Sequence, residues 1–151
     1  MLLSLVLWIG GIVFFGAVVA PTVFGVLPTH DLAGKVVTRS LATLHLIGVV
    51  SGVVFLICSM IYSYVAKGSV QPFASRHIAV VAMIALTFFA QDVVAAKMNH
   101  LKDEIGVIDN VPLTDSRRME FNRLHVWSTR LEGCILVLGL GVLWGTSRRL
   151  S

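Results

Sequence analysis

The chain has 151 residues, of which 56% are hydrophobic and 13% charged. An average soluble domain carries roughly 25% charged residues, so this composition excludes a disordered chain and an ordinary water-soluble fold and points to an integral membrane protein. The net charge of +4 gathers at the ends of the apolar runs, which reads as anchoring at the membrane interface and not as nucleic-acid binding.

A bilayer core about 30 Å thick needs roughly 20 apolar residues of helix. Residues 1–29 hold no charge and predict a first span near 3–27. Val18-Val19-Ala20 has the look of a signal-cleavage site, but no basic segment precedes the apolar run, Pro21 follows directly and the run is too long, so the segment reads as an anchor. After a loop over 28–39, the charge-free run between Arg39 and Lys67 predicts a second span near 40–66. A connector over 67–76 leads to a third span near 77–100, interrupted by Asp92 and Lys97. A mixed-charge connector over 101–115 ends at Asp115 or Ser116, either of which suits the N-cap of a fourth helix near 116–146. The apolar stretch Gly133 to Ser147 is short for a span, so that helix must recruit Leu124 to Glu132, which brings Arg130 and Glu132 inside. Only helices or closed barrels satisfy their backbone in lipid, and the alternating strands of a barrel are missing. The expectation is therefore an all-α, multi-pass bundle of four transmembrane helices, forming one domain over 1–151. Counting basic residues places the side with loops 28–39 and 101–115 in the cytoplasm. Trp8, Trp127 and Trp144 read as an aromatic belt at helix ends. Cys58 and Cys134 read as small apolar residues, with no C-x-x-C pattern.

Four alternating spans place His30, His45, His100 and His125 in the half of the bundle that carries the two loops, and His77 in the other. His45 follows Arg39 by six residues and His125 follows the expected cap by nine or ten, so the two fall at similar depth on different helices. Two facing imidazoles can ligate haem iron on both axial sides or hold a transition-metal ion, with Glu132 or Asp92 orienting them. They can equally hydrogen-bond across the bundle and only tie helices together. His125, Ser128 or Thr129, and Glu132 form one polar stripe on helix 4, which should face the bundle. Gly48 and Gly52 follow His45 on helix 2, where they let a neighbouring helix approach closely or leave room for a planar ligand. Helix 3 offers Gln91, Asp92 and Asn99. Asp92 and Arg130 can pair across helices 3 and 4, or join Glu132 in an ion or proton path. No activated nucleophile, zinc-protease pattern or phosphate-binding turn occurs, so an enzyme is the least supported class.

Trp8-Ile-Gly-Gly-Ile-Val-Phe-Phe15 with Ala20-Pro21-x-x-Phe24 in helix 1, His45 early in helix 2, and Phe121-x-x-x-His125-x-x-Ser128 in helix 4 resemble the transmembrane protein 205-like family of four-helix membrane proteins. In bacteria that family is mostly a domain of unknown function, and the resemblance implies the bacterial inner membrane. His45 and His125 fall on its recognisable polar positions, while Glu132 stands where the family has an amide. The family is distantly similar to copper-resistance protein D-type membrane proteins and to a haem-binding four-helix protoporphyrinogen oxidase, and its animal relatives are associated with resistance to platinum drugs. The resemblance implies handling of haem or soft metals. Residues and resemblance together give the expected function: binding of haem b or a transition-metal ion between helices 2 and 4, for metal or haem handling or electron transfer. His45 and His125 would be ligands, with Ser128 and Glu132 behind them. Two other expectations stand beside it. One is a small, dimeric transporter of cations or metal complexes, and the other is a non-catalytic accessory subunit of a larger membrane complex.

Overall fold

The computed structural model describes residues 1–68, 74–107 and 110–150, without the side chains of Lys67, Arg149 and Leu150. Parts of two expected connectors, 69–73 and 108–109, lie outside the described residues. Four helices are long and apolar enough to cross a membrane: α1, Leu2–Val26; α2, His30–Lys67; α3, Ser75–Ile105; and α4, Ser116–Leu150. No strand occurs among the described residues. Much of the surface is apolar, with Leu3, Leu7, Val65 and Val137 all more than half exposed. A water-soluble monomer does not expose apolar area on that scale, whereas a lipid-facing surface does.

The number and order of the spans agree with the sequence, but α2 begins ten residues earlier than expected. Thr29 caps it, its Oγ1 accepting from Leu32 N at 3.2 Å. Asp31 and Lys35 then pair at i,i+4 spacing, 2.8 Å apart. Lys102, near the end of α3, reaches the same Asp31 carboxylate at 3.3 Å. The charges over 31–39 that read as a loop are thus the wet first turns of a helix about 57 Å long. Gly68 ends α2 and Gly106 ends α3, each at positive φ (67° and 73°), a conformation open to glycine at little cost.

Asp115 is the N-cap of α4. Its Oδ1 accepts from Arg117 N at 2.8 Å, and its carboxylate also meets the Arg117 side chain. Those bonds from Arg117 hold its carboxyl below the usual carboxylate range. The stabilisation is therefore complete above the ordinary carboxylate value and is lost as pH falls through the lowered one. Carboxyl resonances followed by NMR against pH should show Asp115 titrating below the ordinary carboxylate range, with the first turn of α4 fraying at the low end.

Two stretches wind as wider π-turns, Phe15–Val19 in α1 and Ala90–Ala95 in α3. The first precedes Pro21, which has no N–H to give and whose ring would crowd the carbonyl four residues back. The second holds neither proline nor glycine, and such turns gather at functional sites.

The helices form a ring in which α1 and α3 each pack against both α2 and α4. The apolar core comprises Leu5, Trp8, Ile9 and Ile12 of α1, Phe55 of α2, Val80 and Met83 of α3, and Ile135 and Val142 of α4. Trp8 is only 1% exposed, so it is a core residue and not part of an aromatic belt. Its indole lies on the Gly48–Gly52 face of α2, where a Cβ at Gly52 would come within 2.8 Å of the ring. The room beside those glycines is filled by the protein's own planar group. Trp127 and Trp144 are exposed, each under an arginine: Arg130 lies 5.8 Å and Arg148 4.0 Å from the ring centre. That arrangement suits the interface.

Candidate functional site

His45 sits fifteen residues after His30, Glu132 sixteen after Ser116, and Gln91 fourteen before Ile105. At 1.5 Å per residue, all three lie roughly 21–24 Å from the same end of the bundle. They meet. His45 is 5% exposed, with Nδ1 3.0 Å from Gln91 Oε1 and Nε2 hydrogen-bonded with Glu132 Oε1. The His45–Glu132 contact joins α2 to α4 across the diagonal of the ring. The other carboxylate oxygen of Glu132, Oε2, is buried and has no hydrogen-bond partner among the described residues.

Gln91 opens the π-turn of α3 and stands one turn past buried Thr87 on the same face, so it points at His45 while Asp92, about 100° further round, is exposed. A cavity of about 170 Å³ lies on this side of the imidazole, lined by His45, Gln91, Asp92, Thr87, Ala42 and Phe88 among others.

The structure corrects two expected juxtapositions. His125 does not face His45. Because α2 starts at His30, His45 is level with Glu132, and His125 lies seven residues, about 10 Å, nearer the loops. His125 is exposed there, its carbonyl accepting from Thr129 Oγ1 at 3.1 Å. Asp92 and Arg130 do not pair either. Arg130 precedes Glu132 by two residues, about 200° of helix, so with Glu132 turned inward Arg130 is turned outward, over Trp127. Ser128 is half-buried on the Glu132 face.

These placements do not fit a bis-imidazole haem. Iron needs the lone pair of an imidazole nitrogen, and Gln91 and Glu132 take both nitrogens of His45. Among the described residues, no three His, Cys, Asp or Glu side chains converge as a metal-binding group.

A second polar cluster, not foreseen from the sequence, lies at the opposite end. His77 Nε2 and Arg76 Nε each lie 2.8 Å from Ser59 Oγ, and Arg76 Nη2 donates to Ser63 Oγ at 2.8 Å. Ser59 and Ser63 are one turn apart on α2, and Arg76 and His77 open α3. An i,i+4 serine pair late in one span, facing a basic pair early in the next, was the available signal.

No curated protein and no solved structure matches the chain. Neither the transmembrane protein 205-like family nor the copper-resistance protein D type is returned by the comparisons. One family model does match, over residues 3–106, a stretch that holds α1 to α3 with His45 and Gln91 but not Glu132. On a match that covers more than two thirds of its length, the chain belongs to the family described as Domain of unknown function (DUF4149).

Proposed function

We propose that this protein moves protons within the membrane, with His45, Gln91 and Glu132 as the relay. The observation that carries this reading is that both nitrogens of a buried mid-membrane imidazole are engaged, one by a carboxylate and one by an amide. Gln91 presents an oxygen, so Nδ1 carries a hydrogen and donates it. The contact between Nε2 and Glu132 Oε1 then needs a proton between them, because two lone pairs would repel. This is the pair with its proton on board. With the proton gone and Glu132 ionised, the imidazole keeps one hydrogen. If Gln91 turns its amide by 180°, its NH2 group donates to an Nδ1 that has released its hydrogen to the cavity, while Nε2 keeps the remaining hydrogen against the carboxylate. Rotation of one amide thus accommodates the loaded and the unloaded pair: a proton enters at Nδ1, Nε2 passes its own to Glu132, and the ring turns to reset. The cavity bearing Asp92 supplies the Nδ1 side. Ionisable groups this deep in a span are costly and mark ion or proton pathways.

The test is proton flux in sealed vesicles containing the purified protein, followed with an internal pH-sensitive dye after a pH step. Glu132→Gln and Gln91→Met should each slow the flux at least about tenfold relative to the parent, since positioned proton transfer is worth 10²-fold or more. Flux from the parent no faster than protein-free vesicles, or an unchanged flux in Gln91→Met, would overturn the reading. A stoichiometric transition metal bound to the parent and lost in His45→Ala would favour metal binding in its place.

A further inference from the structure

At the end of the bundle away from the relay, a cavity of about 330 Å³ opens between the start of α3 and the last turns of α4. Ser75, Arg76 and Ala79 line one wall, and Val137, Gly141 and Thr146 are among those that line the other. We propose that it is a binding site for an anionic phospholipid, with the phosphate at Arg76 and an acyl chain along the α4 groove.

Four observations converge. First, Arg76 is fixed in place: Nε and Nη2 are bonded to Ser59 and Ser63 at 2.8 Å, which leaves Nη1 for a ligand. Second, the hydroxyl of Thr146, a residue 2% exposed that lines the cavity, is buried with no hydrogen-bond partner among the described residues. Helical threonines ordinarily donate to the preceding turn, as Thr87 and Thr129 do here, so Thr146 keeps an unused hydroxyl beside the cavity. Third, α3 begins at Ser75 with no side-chain cap from Ala74, and with the His77 and Ile78 N–H groups bonded to the Ala74 carbonyl, the N–H groups of Ser75 and Arg76 are those a phosphate at this helix start would meet. Fourth, the sequence at this end of the bundle is predominantly basic. No Asp or Glu occurs between Asp31 and Asp92 or after Glu132, whereas Lys67, Arg76, Arg148 and Arg149 all fall here.

The shape selects a lipid over a small anion. The polar groups Ser75, Arg76 and Thr146 sit at one end of the cavity, and Val137, Leu138 and Gly141 continue it five to nine residues deeper along α4, into the span. Gly141 and Gly145 form an open floor: a Cβ added at either meets nothing within 4 Å. A polar head above an apolar channel describes an amphipath, and basic pockets between spans are where anionic head groups bind.

The test titrates the delipidated protein in detergent with phosphatidylglycerol and with phosphatidylcholine of the same acyl chains, reading bound lipid by native mass spectrometry. The parent should bind phosphatidylglycerol about tenfold tighter or more, the scale of one charge-assisted hydrogen bond. Gly141→Leu starts from a Cβ position with no neighbour within 4 Å and extends into the channel, so it should abolish tight binding while melting like the parent without lipid. Arg76→Gln should erase the preference between the two lipids. Equal binding of both lipids by the parent, unchanged binding in Gly141→Leu, or displacement of the lipid by millimolar inorganic phosphate would each overturn the proposal.

Discussion

Glu132→Ala is expected to cost the bundle about 3–5 kcal/mol, the usual penalty for removing one partner of a buried charged pair, whereas Glu132→Gln should cost only about 1 kcal/mol. Hydrogen bonds between membrane helices average only about 0.6 kcal/mol, so a large effect has to come from what is left behind. Truncation to alanine leaves His45 Nε2 facing a hole in a site where the imidazole is 5% exposed, with no other hydrogen-bond partner for that nitrogen among the described residues. It also removes the single described polar contact between the diagonal helices α2 and α4. Glutamine keeps the length and offers Nε2 either an acceptor or a donor, so the geometry survives while the exchangeable proton does not. Unfolding followed by circular dichroism in one detergent for parent and both variants measures the difference. Equal losses for alanine and glutamine would mean that the carboxylate does not stabilise the bundle through His45. Because Glu132→Gln is the variant that keeps its fold, it is also the one in which lost proton flux reports on chemistry and not on structure.

How far the sequence could be read depended on whether a residue's role was local. The spans were legible because two runs free of charge, residues 1–29 and 40–66, have few other uses. Glu132 and His45 were legible as inward-facing because a polar stripe in a span has to face the bundle. Their pairing was not, since Asp31, Lys35 and Arg39 look like a loop yet carry a helix out of the membrane. Reading α2 as starting ten residues late shortened the depth of His45 by about 15 Å, which matched it to His125 instead of Glu132. The π-turn ahead of Pro21 has a visible cause. The one at Ala90–Ala95 has none, although regular spacing from Thr87 already puts Gln91 on the inward face of α3 and Asp92 off it. Trp8 was misplaced for a similar reason: nearness to a helix end does not reveal that Gly48 and Gly52 on the next span open a slot for an indole.

The two halves of the molecule do different work. Away from the loops, α1 drives Leu5, Trp8, Ile9 and Ile12 into an apolar core shared by all four helices. Nearer the loops, the centre holds the imidazole–carboxylate–amide set beside a cavity. Helices that carry polar groups in lipid need a rigid reference to keep hydrogen-bond distances, and the indole on the glycine face of α2 supplies it one turn from His45. Core packing and relay geometry are therefore coupled through α2.

That coupling makes Gly48→Ala the second large effect. A Cβ at Gly48 would overlap Trp8 Nε1 and lie 2.6 and 2.7 Å from Cε2 and Cδ1 of the same ring. Three atoms of one rigid bicycle cannot be relieved by a rotamer change at a flexible tip, so either the indole leaves its slot or α1 moves away from α2. Overpacking costs about 1–3 kcal/mol in ordinary cores, and the upper end is expected here because Trp8 is 1% exposed and fully enclosed. Trp8→Ala alone should cost about 3–5 kcal/mol through the cavity it leaves. The clash exists only while both groups are present, so Gly48→Ala should be nearly free in the Trp8→Ala background. A double-mutant cycle in detergent, read as unfolding free energies, should give a coupling of at least about 1 kcal/mol, within the range seen for residues in direct contact. Additive losses would show that Trp8 does not occupy the Gly48 slot, and would remove the rigid support from beneath His45.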